Sequence, residues 1–379
     1  MQWVADECDK VKDALPFRYS NETTNWGRVN GATAYALKAR ALLYKASALN
    51  NPTGEQSWWQ AAAQAAQDFI DKNAQQSNPY QLYATGNPEN DYYECFTTNP
   101  VYNNEIILSR SVWNTNKVEQ VFLPVGFTGK FSAAGRTSPT QNFVDCFEML
   151  DGKRIDEGGG DYAYDAQNPY VNRDPRLAAS ILYHGVDWND GTINVIKGQR
   201  DNPIGNANVT PTGYYLRKYM PEEILANNHG GTAFRNWIFI RYAEILLDYA
   251  EAINEVSPNN YKEALAVIQP IRDRVGMTLQ LENRADLQSQ DAARKFIRRE
   301  RTIELAFEDH RAWDVRRWGV AKEALARDIY GVDVVRENGQ TKYVRKIAQP
   351  RVFEDKMYLY PIPEGEVWKT NIENNPGWN

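Results

Sequence analysis

The chain has 379 residues, 42% hydrophobic and 24% charged, with a formal net charge of −6. That is enough for one large core or two modest domains, and the composition is globular rather than disordered. The absence of a long basic run argues against a nucleic-acid partner, and three widely spaced cysteines, Cys8, Cys95 and Cys146, exclude a disulfide framework and any CxxC zinc or redox motif.

In chain order, "QWVADECDKVKDALP" reads as an amphipathic helix ending at Pro16. It has no apolar signal-peptide core, and no membrane-spanning run follows anywhere. The expectation is a cytosolic protein or one without its native N-terminus. Residues 27–51 and 58–73 read as Ala-rich helices joined by a short, Asn/Pro/Gly-containing connection, hence antiparallel neighbours. "LLYKASALN" (42–50) aligns with "LLDYAEAIN" (246–254), and "WQAA" (59–62) with "YKEA" (261–264). Small residues at fixed positions let helices approach closely, the spacing logic of a tetratricopeptide (TPR) hairpin. Two copies are too few for a free solenoid, so further hairpins should complete the stack.

The span 76–233 is rich in Gly, Asn, Asp and Pro, with short strand-like pieces such as "EIILSRSVW". Ordered loops of this length carry function, so the binding surface is sought there. Helices are expected again over 234–255, 259–275, 285–309 and 311–327. "GQTKYVRKI" and "KMYLYPIP" read as a strand pair, and "NIENNPGWN" as an irregular tail.

"RERTIELAFEDHRAWDVRRWG" (299–319) gathers Glu300, Glu304, Glu308, Asp309, His310 and Asp314 among arginines. A metalloprotease needs two histidines four apart with a glutamate, and only His310 is present. A carboxylate metal bundle needs Glu-x-x-His on paired helices, which this spacing does not supply. The apolar positions Phe296, Ile297, Ile303, Ala306 and Phe307 suit a core helix, with Arg301 and Arg311 pairing with neighbouring acids. A structural ion-pair network is therefore expected rather than a catalytic or metal centre. His184 and His229 stand far apart in loops, and no GxSxG, Walker A or GxGxxG motif occurs. "EGGGDY" (157–162) lacks a strand–helix context. Glycosidase chemistry needs only two nearby carboxylates, so it stays open at this point.

Several ordered segments resemble SusD/RagB-type proteins: "ALKARALLYKASALNN", "NNEIILSR", "PTQNFVDCFEMLDGK", "NRDPRLAASILYHG", "NWIFIRYAEILLDYAEAINE", "FIRRERTIELAFEDHRAWDVRRWG" and "YLYPIPEGEVWKTNIENNPGWN". Together they cover nearly the whole chain. The resemblance implies a mainly α, SusD-like fold with TPR-like hairpins, long ordered loops and a few short strands. It implies one domain over 1–379: a TPR-like hairpin (27–75), a loop-rich ligand-binding region (76–233) and a C-terminal helical region (234–379). It further implies a surface-exposed outer-membrane lipoprotein that binds glycans, or in some members peptides, over a SusC-type TonB-dependent transporter. No catalysis, cofactor or metal is implied. A lipobox cysteine and the long segment that precedes Trp3 in such proteins are absent, which points to an N-terminally truncated chain without its lipid anchor.

The resemblance places ligand-stacking aromatics in the loops, where this chain has Trp113, Phe122, Phe127, Phe131, Tyr162, Tyr164, Tyr170 and Trp188. The expected ligand-binding residues are Trp113, Phe127, Phe131, Tyr162, Tyr164 and Trp188, with Asn114, Asn116, Asp161 and Asn189 as polar partners. The alternatives are a peptide-binding RagB-like member and an all-α carbohydrate-active hydrolase.

Overall fold

Alanine and leucine at helical spacing build the first part of the scaffold. The computed structural model describes residues 1–99, 103–127, 133–158, 160–189, 191–224 and 231–378, without the side chains of 111–114. Helices α1 (Gln2–Val11), α2 (Glu22–Asn25), α3 (Gly31–Ala46) and α4 (Gln56–Ala74) come first. Asn30 caps α3, its side-chain oxygen accepting from the Thr33 N–H at 2.9 Å. Short elements follow: α5 (Asp91–Thr97), β1 (Ile106–Thr115), α6 (Lys117–Phe122), α7 (Gln141–Val144), α8 (Arg176–Ser180), β2 (Ile181–Leu182), β3 (Asp187–Trp188), β4 (Gly191–Thr192) and β5 (Tyr215–Leu216).

The helix expected over 234–255 is instead a strand, β6 (Ala233–Arg241), running into α9 (Tyr242–Val256). Trp237 and Phe239 face outward while Ile238 and Ile240 are buried, the period-2 alternation of a half-buried strand. β1 supplies the antiparallel partner, with Arg110 opposite Trp237. The chain continues through α10 (Tyr261–Asp273), α11 (Gln290–Glu304), α12 (Arg311–Arg317), α13 (Ala321–Leu325), β7 (Ile329–Glu337), β8 (Gln340–Gln349) and α14 (Glu364–Thr370). α11 stops five residues before the expected 309, because Phe307 and Asp309 take left-handed backbone at φ 61° and 65°. The helix expected over 311–327 is split around Gly319, at φ 73°. β8 takes up "QTKYVRKI" and pairs with β7 across Asn338-Gly339, both at positive φ, a two-residue hairpin turn. "KMYLYPIP" forms a short 3₁₀ turn and coil, not its strand partner.

The repeat is realised as packing. α3 lies on α4, α4 on α9 and α9 on α10, while α1 and α11 flank the stack. Ala46, Ala66, Ala250 and Ala252 are fully buried in these seams. The first copy unwinds at Ser47, whose hydroxyl donates to Leu43 O at 2.7 Å and accepts from Arg317 at 2.9 Å.

The stack is fastened to the strand pair by buried charge. Arg241, at the end of β6, meets Glu105 at 2.6 Å, Glu304 at 2.7 Å and Glu308 at 2.7 Å. Glu304 also accepts from Arg274 and from Arg176 at 3.0 Å. Arg176 bonds Asp174 and Glu300, and Glu300 takes Arg272 at 3.2 Å. A second cluster joins Arg301 to Asp248 at 2.6 Å, and Arg317 to Glu251 and Asp314. All of these side chains are buried. The expected network is present, yet it is a core feature, and apart from pairs close in sequence such as Arg317–Asp314 its partners are tertiary. Among the described residues Arg311 forms no ion pair with an acid, and its side chain donates to the Thr302 hydroxyl at 3.0 Å.

Buried ion pairs offset a desolvation cost of several kcal/mol per charge only when every partner is present. Glu304→Ala leaves three arginines short of a carboxylate, and urea denaturation is expected to show a loss of about 3–5 kcal/mol. Burial alone would raise the Glu304, Glu308, Glu251 and Asp314 carboxyls, but the surrounding arginines outweigh it and hold them below the usual range. At these four groups the folded state therefore binds fewer protons than the unfolded one. Stability from these groups is complete above about pH 4.5 and is lost as pH falls toward their folded pKa values. Melting temperature against pH should show this acid limb, and Glu304→Gln should flatten it.

Candidate functional site

The described aromatics expected from sequence fall into two groups. Phe127 is 5% exposed and covered by the Arg200 guanidinium at 3.7 Å; Trp188 is 0% exposed in the core with Phe147, Leu182 and Tyr215. Both rings already have protein on their faces. Tyr162 is open to solvent, and Tyr164 is half-buried with Arg173 at 5.4 Å over its ring. Burial raises the Tyr164 phenol. Trp113 lies on β1, but its side chain and that of Asn114 are outside the described residues, as is all of Phe131. Phe122 packs on the core, and Tyr170 stacks on Tyr183 at 4.0 Å. Among the polar candidates, Asn189 donates to Glu222 O at 2.6 Å, Asn116 accepts from Gln120 at 2.9 Å, and Asp161 is exposed.

His310 is buried, 3.8 Å from Glu244, and precedes α12. Burial pushes its imidazole pKa down. Among the described residues no cluster of three His, Cys, Asp or Glu side chains could hold a metal ion. His229 lies outside the described residues.

A concave surface lies elsewhere, in two adjoining hollows. One, about 670 Å³, opens between α7 and the start of α12; the other, about 520 Å³, runs between loops 134–140 and 207–212 and the end of β8. Thr140 and Arg351 line both, so the two form one cleft. Local structure sets its walls. Thr140 caps α7, its hydroxyl oxygen accepting from Phe143 N–H at 3.2 Å. Asn142 donates to Asp328 O at 3.1 Å and accepts from Tyr330 N–H at 2.8 Å, tying α7 to the β7 strand. Phe143 meets the edge of Phe307 at 5.5 Å. Gly135 sits at φ 52°, and a Cβ there would stand 2.6 Å from Asn208 O; glycine thus lets the loop that carries Arg136 close onto the 208 turn.

Trp313 and Tyr360 form the exposed aromatic wall, 49% and 52% accessible, with ring centroids 5.7 Å apart. Arg316 lies 4.7 Å from the Tyr360 ring centre. Trp313 and Tyr360 also line a neighbouring hollow of about 560 Å³ that reaches Trp237 and Phe239. None of the described aromatics expected from sequence lines the cleft. Trp313, not singled out in the sequence, lines it; its phase carries the signal, since Val315 and Trp318 are buried and Trp313 falls on the opposite face.

Comparison with known proteins follows the fold. The SusD family model matches residues 70–378. SusD-like protein P2 of Formosa agariphila is 32% identical over 169 residues, 43% of this chain and 30% of that protein. The alignment thus spans less than a third of that relative's length. A crystal structure of a SusD-like protein from Bacteroides fragilis shares 26% identity at a TM-score of 0.78, covering 99% of this chain and 70% of the other. Another from the same species, described as a SusD-like carbohydrate-binding protein, shares 23% identity at a TM-score of 0.73, covering 96% and 69%. With a match over most of its length, the chain belongs to the SusD family.

Proposed function

We propose that this protein is a non-catalytic oligosaccharide-binding protein of the outer-membrane surface that delivers its ligand to a SusC-type TonB-dependent transporter. The observation that carries the reading is the cleft, where solvent-exposed Trp313 and Tyr360 line one hollow and polar groups such as Gln349 and Asn208 line the adjoining one. A sugar ring presents an apolar CH face that stacks on an aromatic, while its hydroxyls take hydrogen bonds from the rim. Family membership and a structural relative described as carbohydrate-binding support the same assignment.

The cleft lining also favours binding over hydrolysis. Glycoside hydrolysis needs a pair of carboxylates flanking the bond, and the residues lining the two hollows include one, Asp309. Glu304, Glu308 and Asp314, nearby in sequence, are buried and held ionised by arginines, which unsuits them as proton donors. Exposed Tyr162 is a second aromatic platform in this reading. No helix among the described residues is long and apolar enough to cross a membrane, and a lipid anchor is the attachment this reading requires.

Titration calorimetry against a glycan and peptide panel tests the assignment. Trp313→Ala is expected to lower affinity for the best oligosaccharide about tenfold or more, with little change in melting temperature because the ring is half exposed. Binding of peptides with no binding of any glycan would overturn it, as would release of sugar by the purified protein.

A further inference from the structure

Three arginines ring the cleft with no carboxylate ion-pair partner among the described residues. Arg351 lines both hollows, Arg311 the larger and Arg136 the smaller. Arg311 makes one hydrogen bond, to a neutral hydroxyl. The guanidiniums of Arg351 and Arg136 are exposed and make no hydrogen bond or ion pair to the described residues. The contrast is with the core, where Arg176, Arg241, Arg272, Arg274, Arg301 and Arg317 each meet at least two carboxylates. It is also with the chain as a whole, whose net charge is −6. A protein that is acidic overall thus turns three uncompensated cations into one concavity whose lining holds a single acid, Asp309.

Arg311 is exposed, but the protein around it still disfavours its charge and lowers its pKa below the ordinary guanidinium value, since no acid close by outweighs that effect. A cation held in this way gains when an anion enters. Guanidinium is planar, permanently charged and matched to two oxygens at once, so carboxylates and sulfate groups are its natural complements. Directly beside it are the exposed faces of Trp313 and Tyr360, which suit a sugar ring rather than a bare ion.

We propose that the cleft selects anionic oligosaccharides, glycans carrying uronate carboxylates or sulfate esters, with Arg136, Arg311 and Arg351 contacting the charged groups and Trp313 and Tyr360 the ring faces. The inference rests on the glycan-binding reading above and names the ligand class for the same cleft. Arg351, shared by both hollows, bridges anionic groups on successive residues.

The test compares matched oligosaccharides by calorimetry: neutral, uronate-bearing and sulfated forms of similar length, with an acidic peptide as a further arm. An anionic form should bind at least about tenfold tighter than its neutral counterpart. The uronate and sulfate arms decide which anion it is. Affinity should fall as salt rises from about 50 to about 500 mM, since added ions screen exposed charges. Arg351→Ala and Arg136→Ala remove no side-chain hydrogen bond or ion pair to the described residues and should fold normally, yet each should weaken anionic-glycan binding about tenfold more than neutral-glycan binding. Arg351→Lys keeps the charge but not the two-pronged geometry and should recover only part of the loss. Equal affinity for neutral and anionic glycans, or Arg351→Ala without effect, overturns this proposal and leaves glycan binding standing. Binding of the acidic peptide alone overturns both.

Discussion

Arg241 is the point on which the rest of the structure depends. It ends β6, starts α9 and reaches three carboxylates from three other segments: Glu105 before β1, Glu304 at the end of α11 and Glu308 in the turn beyond. Strand pair, helical stack and the turn leading into α12 are thus referred to one guanidinium. Hydrophobic packing alone tolerates small sliding of helices, whereas ion pairs of this kind are satisfied in one register. Pairs so deeply buried are weak evidence of high stability. Their effect here is positional, because a shift in any of these segments would strand a charge away from water.

The parts of the fold readable in sequence are those set by local spacing. Ala46 and Ala250 recur in matching positions, and the helices they mark do pack as consecutive hairpins. The parts that were not readable are set by distant partners. Glu105, Glu304 and Glu308 lie 136, 63 and 67 residues from Arg241, so helical spacing of acids and arginines could show that charge was concentrated but not where it would point. Phe234–Arg241 reads as part of a helix until β1 is available to pair with it. The Asn338-Gly339 hairpin was legible and went unused, since Asn-Gly is the strongest short-range hairpin signal.

The aromatics expected to bind ligand show the same division. Composition pointed to aromatics in the loops, and burial divides them. Phe127 and Trp188 close the core beneath the loop region, while Tyr162 remains on the surface. No residue pattern within the loops distinguishes a ring that seals a core from one that faces solvent, because both sit among Gly, Asn and Asp. Trp313 sits in a helical motif that reads as scaffold, and its exposure follows from α12 presenting only one side to the core.

Asn142 carries a consequence for how the cleft meets a ligand. Its amide nitrogen and oxygen are both engaged, one with Asp328 and one with Tyr330. It is an anchor, and the wall it belongs to is set before any ligand arrives. Recognition mounted on such a wall loses little conformational entropy on association, and what must be ordered is confined to the long side chains at the rim. On the glycan-binding reading proposed above, affinity would draw on a surface already set, and selectivity on which ligand groups meet the long side chains at its rim.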